Sequence, residues 1–432
     1  MRAGVSVPRL LAINALVRIS AAGSGQLFAF LLAARLSNQI GVGALLVGVI
    51  GAAFFVTELV GAPFAGSLAD RVGQLRILRW GPVFGVVSAL VAATAALGAD
   101  SLPLLVVILF LARLNEGASA ALAVPTTLTL LSRATDGDAR RRTRVMGAFE
   151  VTSLVGMIGG YVLVGVAWDR LGTGAFLLLP PLYGVAWLLV GPGGNRHAPG
   201  GNRHAPGGHE HAPGAPTAAE RPSVSAVLRR LASMPGNVAF GISWLAINAI
   251  VGLWIQQAPF LLSLPERSAT QALVGGFSGQ EIGLIFAVWG GALLVGIALW
   301  SLLAPGMERR RAMSIALIAM LGVVASLAWY NHGGPGFVIW IAVALVLVEA
   351  GFTPAAFAHL AELTVPVDAS RGAALGLYSL LLGAGQLVGN LLGGLFSARW
   401  QMDGVLGLTA MLAVLSLAGA MGMGTQSGKA QR

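Results

Sequence analysis

Windows of about 20 apolar residues recur along the whole chain, and a helix of that length, rising ~1.5 Å per residue, crosses a hydrocarbon layer ~30 Å thick. Twelve can be marked, at about 10–36, 42–65, 79–98, 102–130, 145–168, 173–191, 236–262, 281–303, 312–330, 335–357, 371–396 and 403–423. A soluble fold has no core large enough to hide them. Of the 432 residues 56% are hydrophobic and only 10% charged, with a mean hydropathy of +0.80, whereas soluble domains carry about 25% charge. The expected fold class is therefore an all-α polytopic membrane protein with twelve transmembrane helices. The first window is too long for a signal-peptide core and runs straight into further spans, so it reads as the first helix and no cleavage is expected. With no cysteine in the chain, disulfides and thiolate metal sites are excluded.

The net charge of +10 does not point to a nucleic acid, because the basic residues sit at the ends of the spans. Twenty-one of the 27 Lys and Arg residues fall on one side, and Arg35, Arg170, Arg267 and Arg399 on the other. Arg18 and Arg113 lie within spans. The positive-inside rule then places both termini in the cytoplasm, and the expected location is the plasma (inner) membrane.

Between the sixth and seventh spans the composition changes abruptly. Gly193-Gly-Asn-Arg-His-Ala-Pro199 recurs at 200–206 and, altered, at 207–213. Such a tract buries no core and is expected to be a flexible linker. Its histidines, His197, His204, His209 and His211, are read as a solvated tether rather than a metal site, since no fixed backbone organises them. Val224, Val227, Leu228 and Leu231 follow at helical spacing beside Arg229 and Arg230, as in a short amphipathic surface helix. The expected organisation is a six-helix bundle over 1–191, a cytoplasmic linker over 192–235 and a second six-helix bundle over 236–432. A faint internal repeat supports the division: Arg142, Gly147 and Gly156 match the spacing of Arg371, Gly376 and Gly385.

Between the second and third windows stands a charged turn over 66–79. Its pattern, Gly66-x-x-x-Asp70-Arg71-x-Gly73-x-x-Arg76, resembles the loop between helices 2 and 3 of the major facilitator superfamily of transporters. Gln74 and Leu75 stand where that family usually has basic residues. Arg113-x-x-Glu116-Gly117-x-Ser119-Ala120-Ala121 is similar to the family's helix-4 motif, with Glu116 in place of a common Gln. Gly156, Gly159 and Gly160 have the glycines of its antiporter motif, which permit close helix packing, without the proline. The resemblance implies two pseudo-symmetric six-helix bundles handling substrate between them by rocker-switch alternating access. It also implies a cytoplasmic gate made of Gly66, Asp70, Arg71, Gly73, Arg76 and Arg79.

A charge at the bilayer centre costs about 2.5–3.5 kcal/mol on insertion scales, so each needs a partner or an aqueous cavity. Arg113 and Glu116, at i and i+3, can pair on one helical face; that pair serves either neutralisation alone or proton carriage gated by the arginine. Glu58 suits a proton or cation site in the cavity or a brace for the gate, and Glu150 an ion pair at the gate. Arg18 and Glu349 come from spans that in this fold face the cavity. Phe352-Thr353-Pro354 beyond Glu349 supplies a helix break. Proton-coupling candidates are thus Glu58, Arg113, Glu116 and Glu349. Substrate-cavity candidates are Arg18, Gln26, Trp244, Asn248, Trp254, Gln256, Gln386 and Asn390, whose amide and aromatic groups suit a ligand of mixed polarity. The tryptophans serve equally as interfacial anchors.

The expected function is proton-coupled export of small, partly lipophilic molecules, as in the drug-exporter branches of that superfamily. Lipid, a small-molecule substrate and protons are the expected partners, with a proton gradient in place of any cofactor and a monomer as the working unit. Two alternatives stay open: uptake or facilitated diffusion of a metabolite, and a non-transporting sensor or scaffold. No Gly-x-Ser-x-Gly, His-Glu-x-x-His or Walker-type loop suggests an enzyme.

Overall fold

A computed structural model describes residues 5–135, 138–191, 236–303, 306–363 and 371–423, apart from some side chains within the helices. The linker, its histidines and the amphipathic segment over 224–231 lie outside the described residues, as does the Asp70 side chain. The helices are α1 (Val7–Arg35), α2 (Ile40–Val72), α3 (Gln74–Gly98), α4 (Leu102–Ala134), α5 (Ala139–Leu171), α6 (Leu179–Val190), α7 (Asn237–Leu262), α8 (Gly279–Leu303), α9 (Arg309–Asn331), α10 (Phe337–Glu349), α11 (Phe352–Leu363), α12 (Arg371–Trp400) and α13 (Met402–Gly422). No strand occurs among the described residues. Hydrocarbon offers the backbone no hydrogen-bond partner, so apolar segments satisfy their own amides as helices.

Among the described residues, eleven stretches are long and apolar enough to cross a membrane, one of them, Arg144–Val190, long enough for two passes. The chain thus passes twelve times, as expected, but three details differ from the sequence reading. The second helix does not stop at the hydrocarbon edge. It runs through Asp70 and Arg71 to Val72, and α3 starts at Gln74, so the supposed turn is one residue, Gly73, at φ +101°. Only a residue without Cβ adopts that angle freely. The sixth span opens with a 3-10 turn over Gly172–Leu178, and α6 begins where prolines occupy its first positions, the place a helix tolerates them. The tenth span is two helices parted at Ala350 and Gly351. A Cβ on Gly351 would fall on the Trp300 indole, whose Nε1 donates to the Leu347 carbonyl at 3.2 Å.

Helices α1–α6 pack on one another, as do α7–α13, and the two sets meet through α2 with α12, α5 with α8, and α7 with α1 and α2. Call the end of the bundle nearer the chain termini the terminal end and the other the distal end. Toward the distal end glycines draw the sets together. A Cβ on Gly48 would lie 2.6 Å from the Asn390 carbonyl, one on Gly394 3.0 Å from the Ala44 carbonyl, and one on Gly290 2.6 Å from Ile158. The Tyr161 and Phe286 rings stack across the α5–α8 seam with centroids 4.4 Å apart. Helix α4 packs on α1, α2, α3 and α5, and α10 on α8 and α9.

Candidate functional site

Small residues on α4 set the site. Ser119 donates to the Gly81 carbonyl of α3 at 2.6 Å, and a Cβ on Gly117 would fall on the Phe54 backbone of α2. With no bulk to hold them apart, the three helices close around Arg113 and Glu116, 3% and 1% exposed. Arg113 Nη1 lies 2.6 Å from Glu116 Oε2. The same oxygen accepts from Ser24 of α1 at 2.9 Å, and Oε1 accepts from the Tyr183 hydroxyl of α6 at 2.8 Å. Both carboxylate oxygens are therefore satisfied, and the pair ties three helices together. The guanidinium lies 4.8 Å from the Phe54 ring centroid and 5.5 Å from that of Phe28, close enough for cation–π attraction.

The other set reaches this pair through α7. A Cβ on Gly25 would sit 2.9 Å from Gln256 Nε2 and 3.3 Å from Arg113 Nη2, and one on Gly51 would sit 2.9 Å from Gln256 Cγ and fall on Asn390 Oδ1. Two glycines of the first set thus make a cradle for two amide side chains of the second, beside the buried arginine. Phe54, Phe55 and Ala120 form an apolar cluster there, with Ala21, Ile255 and Leu387 against it. Next to Gly25 lies Gln26, fully buried with neither amide atom hydrogen-bonded. Asn390 Oδ1 is also buried without a partner, although its Nδ2 donates to the Gln386 carbonyl at 2.7 Å. Buried polar groups left unpaired are rare enough in folded proteins to need a reason.

Toward the terminal end, Arg18 is the cation whose field reaches both Glu58 and Glu150, and Arg113 also acts on Glu58. Arg18 Nε is buried without a partner, and Gly156 of α5 packs against Arg18 Cβ. Glu58 is half-buried and Glu150 exposed. Arg79 stands 4.5 Å over the Trp187 ring; Gly66, Arg71, Gly73 and Arg76 are on or beside the ends of α2 and α3. Glu349, the last residue of α10, has Oε2 buried with no partner.

The remaining candidates are dispersed through the second set. Trp244 stacks with Phe240 and Phe352 in a separate core cluster. Asn248 donates to the Trp244 carbonyl at 2.8 Å. Trp254 Nε1 donates to Thr409 at 2.9 Å and its ring stacks on Trp289. Gln257 reaches across to the Ala44 carbonyl at 3.1 Å. Sequence reasoning missed Ser24, Tyr183 and the two cradle glycines; the one signal among them was a lone tyrosine in an otherwise apolar span.

Comparison with known proteins gives the family and the fold. The profile of the Major Facilitator Superfamily matches residues 15–273. No curated protein matches the chain by sequence. Among solved structures it is similar to a nucleoside transporter, NupG (13% identity, TM-score 0.65, covering 96% of this chain and 98% of that one). A D-xylose–proton symporter shares 15% identity at TM-score 0.67, covering 97% and 98%. An auto-inhibited peptide transporter of the POT family shares 16% at TM-score 0.65, covering 96% and 95%. At such identities the likeness shows the fold alone.

Proposed function

Since the chain belongs to the Major Facilitator Superfamily and is a multi-pass secondary transporter of a small molecule, we propose that it exports partly lipophilic compounds in exchange for protons by rocker-switch alternating access. The observation that carries this reading is Gln26, wholly buried with both amide atoms unpaired, one residue from the glycine against which Gln256 of the other set rests. An unpaired buried amide costs about 1–3 kcal/mol, and a ligand with a donor and an acceptor on an apolar body would meet it. Phe54 and Phe55, in the apolar cluster beside the cradle, would supply the apolar wall.

Glu58 and Glu349 are the carboxylates proposed to carry the coupling proton. One lies within the electrostatic reach of Arg18 and Arg113, and the other has a buried oxygen with no hydrogen-bond partner. The working unit is proposed to be a monomer in the plasma membrane with both termini cytoplasmic, driven by the proton gradient with no cofactor. Everted vesicles loaded with an amphiphilic fluorescent dye test it. Dye movement that follows an imposed pH gradient and is lost in Glu58→Gln or Glu349→Gln is expected; movement indifferent to the gradient would remove proton coupling.

A second reading rests on Arg18, whose buried Nε has no partner and suits an anionic group on a metabolite taken up. Accumulation by intact cells, rather than exclusion, would favour it.

A further inference from the structure

The α5–α8 seam ends in a contact that belongs neither to the Arg113–Glu116 pair nor to the cradle. The first N–H groups of a helix have no partner within it. Helix α8 solves half of this itself: Ser278 N donates to Glu281 Oε2 at 2.8 Å and Glu281 N to Ser278 Oγ at 3.2 Å, a capping box. That leaves the N–H groups of Gly279 and Gln280. Both are taken by the last turn of α5 in the other set, where Asp169 Oδ1 accepts from Gly279 N at 2.7 Å and Oδ2 from Gln280 N at 2.8 Å. One turn earlier Gly165 lies against Gly279 so closely that a Cβ on either would strike the other's backbone. The carboxylate also meets the positive end of the α8 dipole.

We propose that Asp169 is a positioning residue of alternating access: it holds the distal end shut by capping a helix of the opposite set. When the two sets part at that end, Gly279 and Gln280 lose their acceptor to water while the capping box stays whole. Closure therefore gains two charge-assisted hydrogen bonds that opening gives up, and the protein favours the distally closed state. The inference rests on the alternating-access part of the proposed function and is independent of direction, substrate and coupling.

The chain has no cysteine, so single cysteines report cleanly. Ile158→Cys, the seam reporter, lies against Gly290, inward of Asp169, and Ala269→Cys, exposed in the loop before α8, marks the distal side. A membrane-impermeant maleimide is applied from each side of the full-length protein in cells and in everted vesicles. Asp169→Ala is expected to raise the rate at which the seam reporter is labelled from the distal side about fivefold, the effect of one lost cap. Asp169→Asn, which keeps one acceptor, should fall between it and the parent. Ser278→Ala removes a bond of α8's own box and should leave labelling unchanged. Distal labelling unaltered in both Asp169 variants, or raised equally by Ser278→Ala, would overturn the proposal. Gly165→Trp, which wedges the seam, separates the two failures. If it exposes the seam reporter while Asp169→Ala does not, the cap alone is refuted; if no variant exposes the reporter, alternating access at this seam is refuted with it.

Discussion

Gly117 of α4 and Phe54 of α2 touch backbone to backbone, so closely that a methyl group on Gly117 would coincide with the Phe54 carbonyl. That approach brings the Phe54 ring over the Arg113 guanidinium at 4.8 Å. The small residue and the buried charge therefore form one design, in which close helix packing shields the ion pair from lipid.

Gly117→Ala should force α2 and α4 apart. Overpacking of this kind costs about 1–3 kcal/mol, to be read as a lower melting temperature of the detergent-purified protein by intrinsic tryptophan fluorescence. Glycine-to-alanine at Gly66, where a Cβ meets nothing within 4 Å among the described residues, should leave that melting temperature within error.

Glu116 accepts from Arg113, Ser24 and Tyr183, and removing its charge leaves a buried guanidinium uncompensated. Glu116→Gln is expected to lose about 3–5 kcal/mol, the cost of breaking a buried pair from one side. Tyr183→Phe, which removes a neutral donor to Glu116 Oε1 but leaves the ion pair whole, should lose less, about 1.5–3 kcal/mol. Equal losses in the two variants, from denaturant or thermal titration, would show that the pair is not the organising contact.

How much of this was readable beforehand depended on sequence distance. The twelve passes follow from hydrocarbon thickness, and the Arg113–Glu116 pair follows from i, i+3 spacing on one helix. Gly156 and Gly160 were recognisable as packing positions, and they do face α1, at Ala15 and at Ile19 with Gly23. The pairing of Tyr183 and Ser24 with Glu116 was invisible, because they lie 67 and 92 positions from it and only the folded bundle makes them neighbours. In the sequence Asp169 is a span-end charge beside Arg170; its role depends on where α8 begins, which no local pattern in α5 encodes. The extent of α2 was misjudged for a related reason. Hydropathy marks where the membrane ends, whereas a helix ends only where its backbone is interrupted.

Gln26 separates stability from transport. Gln26→Leu replaces an unpaired buried amide with an apolar side chain of similar size, so the melting temperature should rise, by an amount equivalent to about 1–3 kcal/mol. Transport should fall at least roughly tenfold if that amide meets the ligand, the ~1.4 kcal/mol worth of a hydrogen bond. A variant both more stable and fully active would take Gln26 out of the binding site.

Gly48→Leu should act on the α2–α12 seam. A side chain there collides with the Asn390 carbonyl and with Gly394, so the distally closed packing is disfavoured while each set keeps its own core. Distal labelling of an Ile158→Cys reporter should increase several-fold, with little change in melting temperature.

The one-residue junction at Gly73 has a mechanical meaning. Helices α2 and α3, 33 and 25 residues long, are joined by a link with no slack, so neither can slide along its axis without dragging the other. Asp70 and Arg71 therefore ride on a stiff lever rather than a floppy strap, and any tilt of α2 on the distal glycine seam swings them through an arc that α3 must follow.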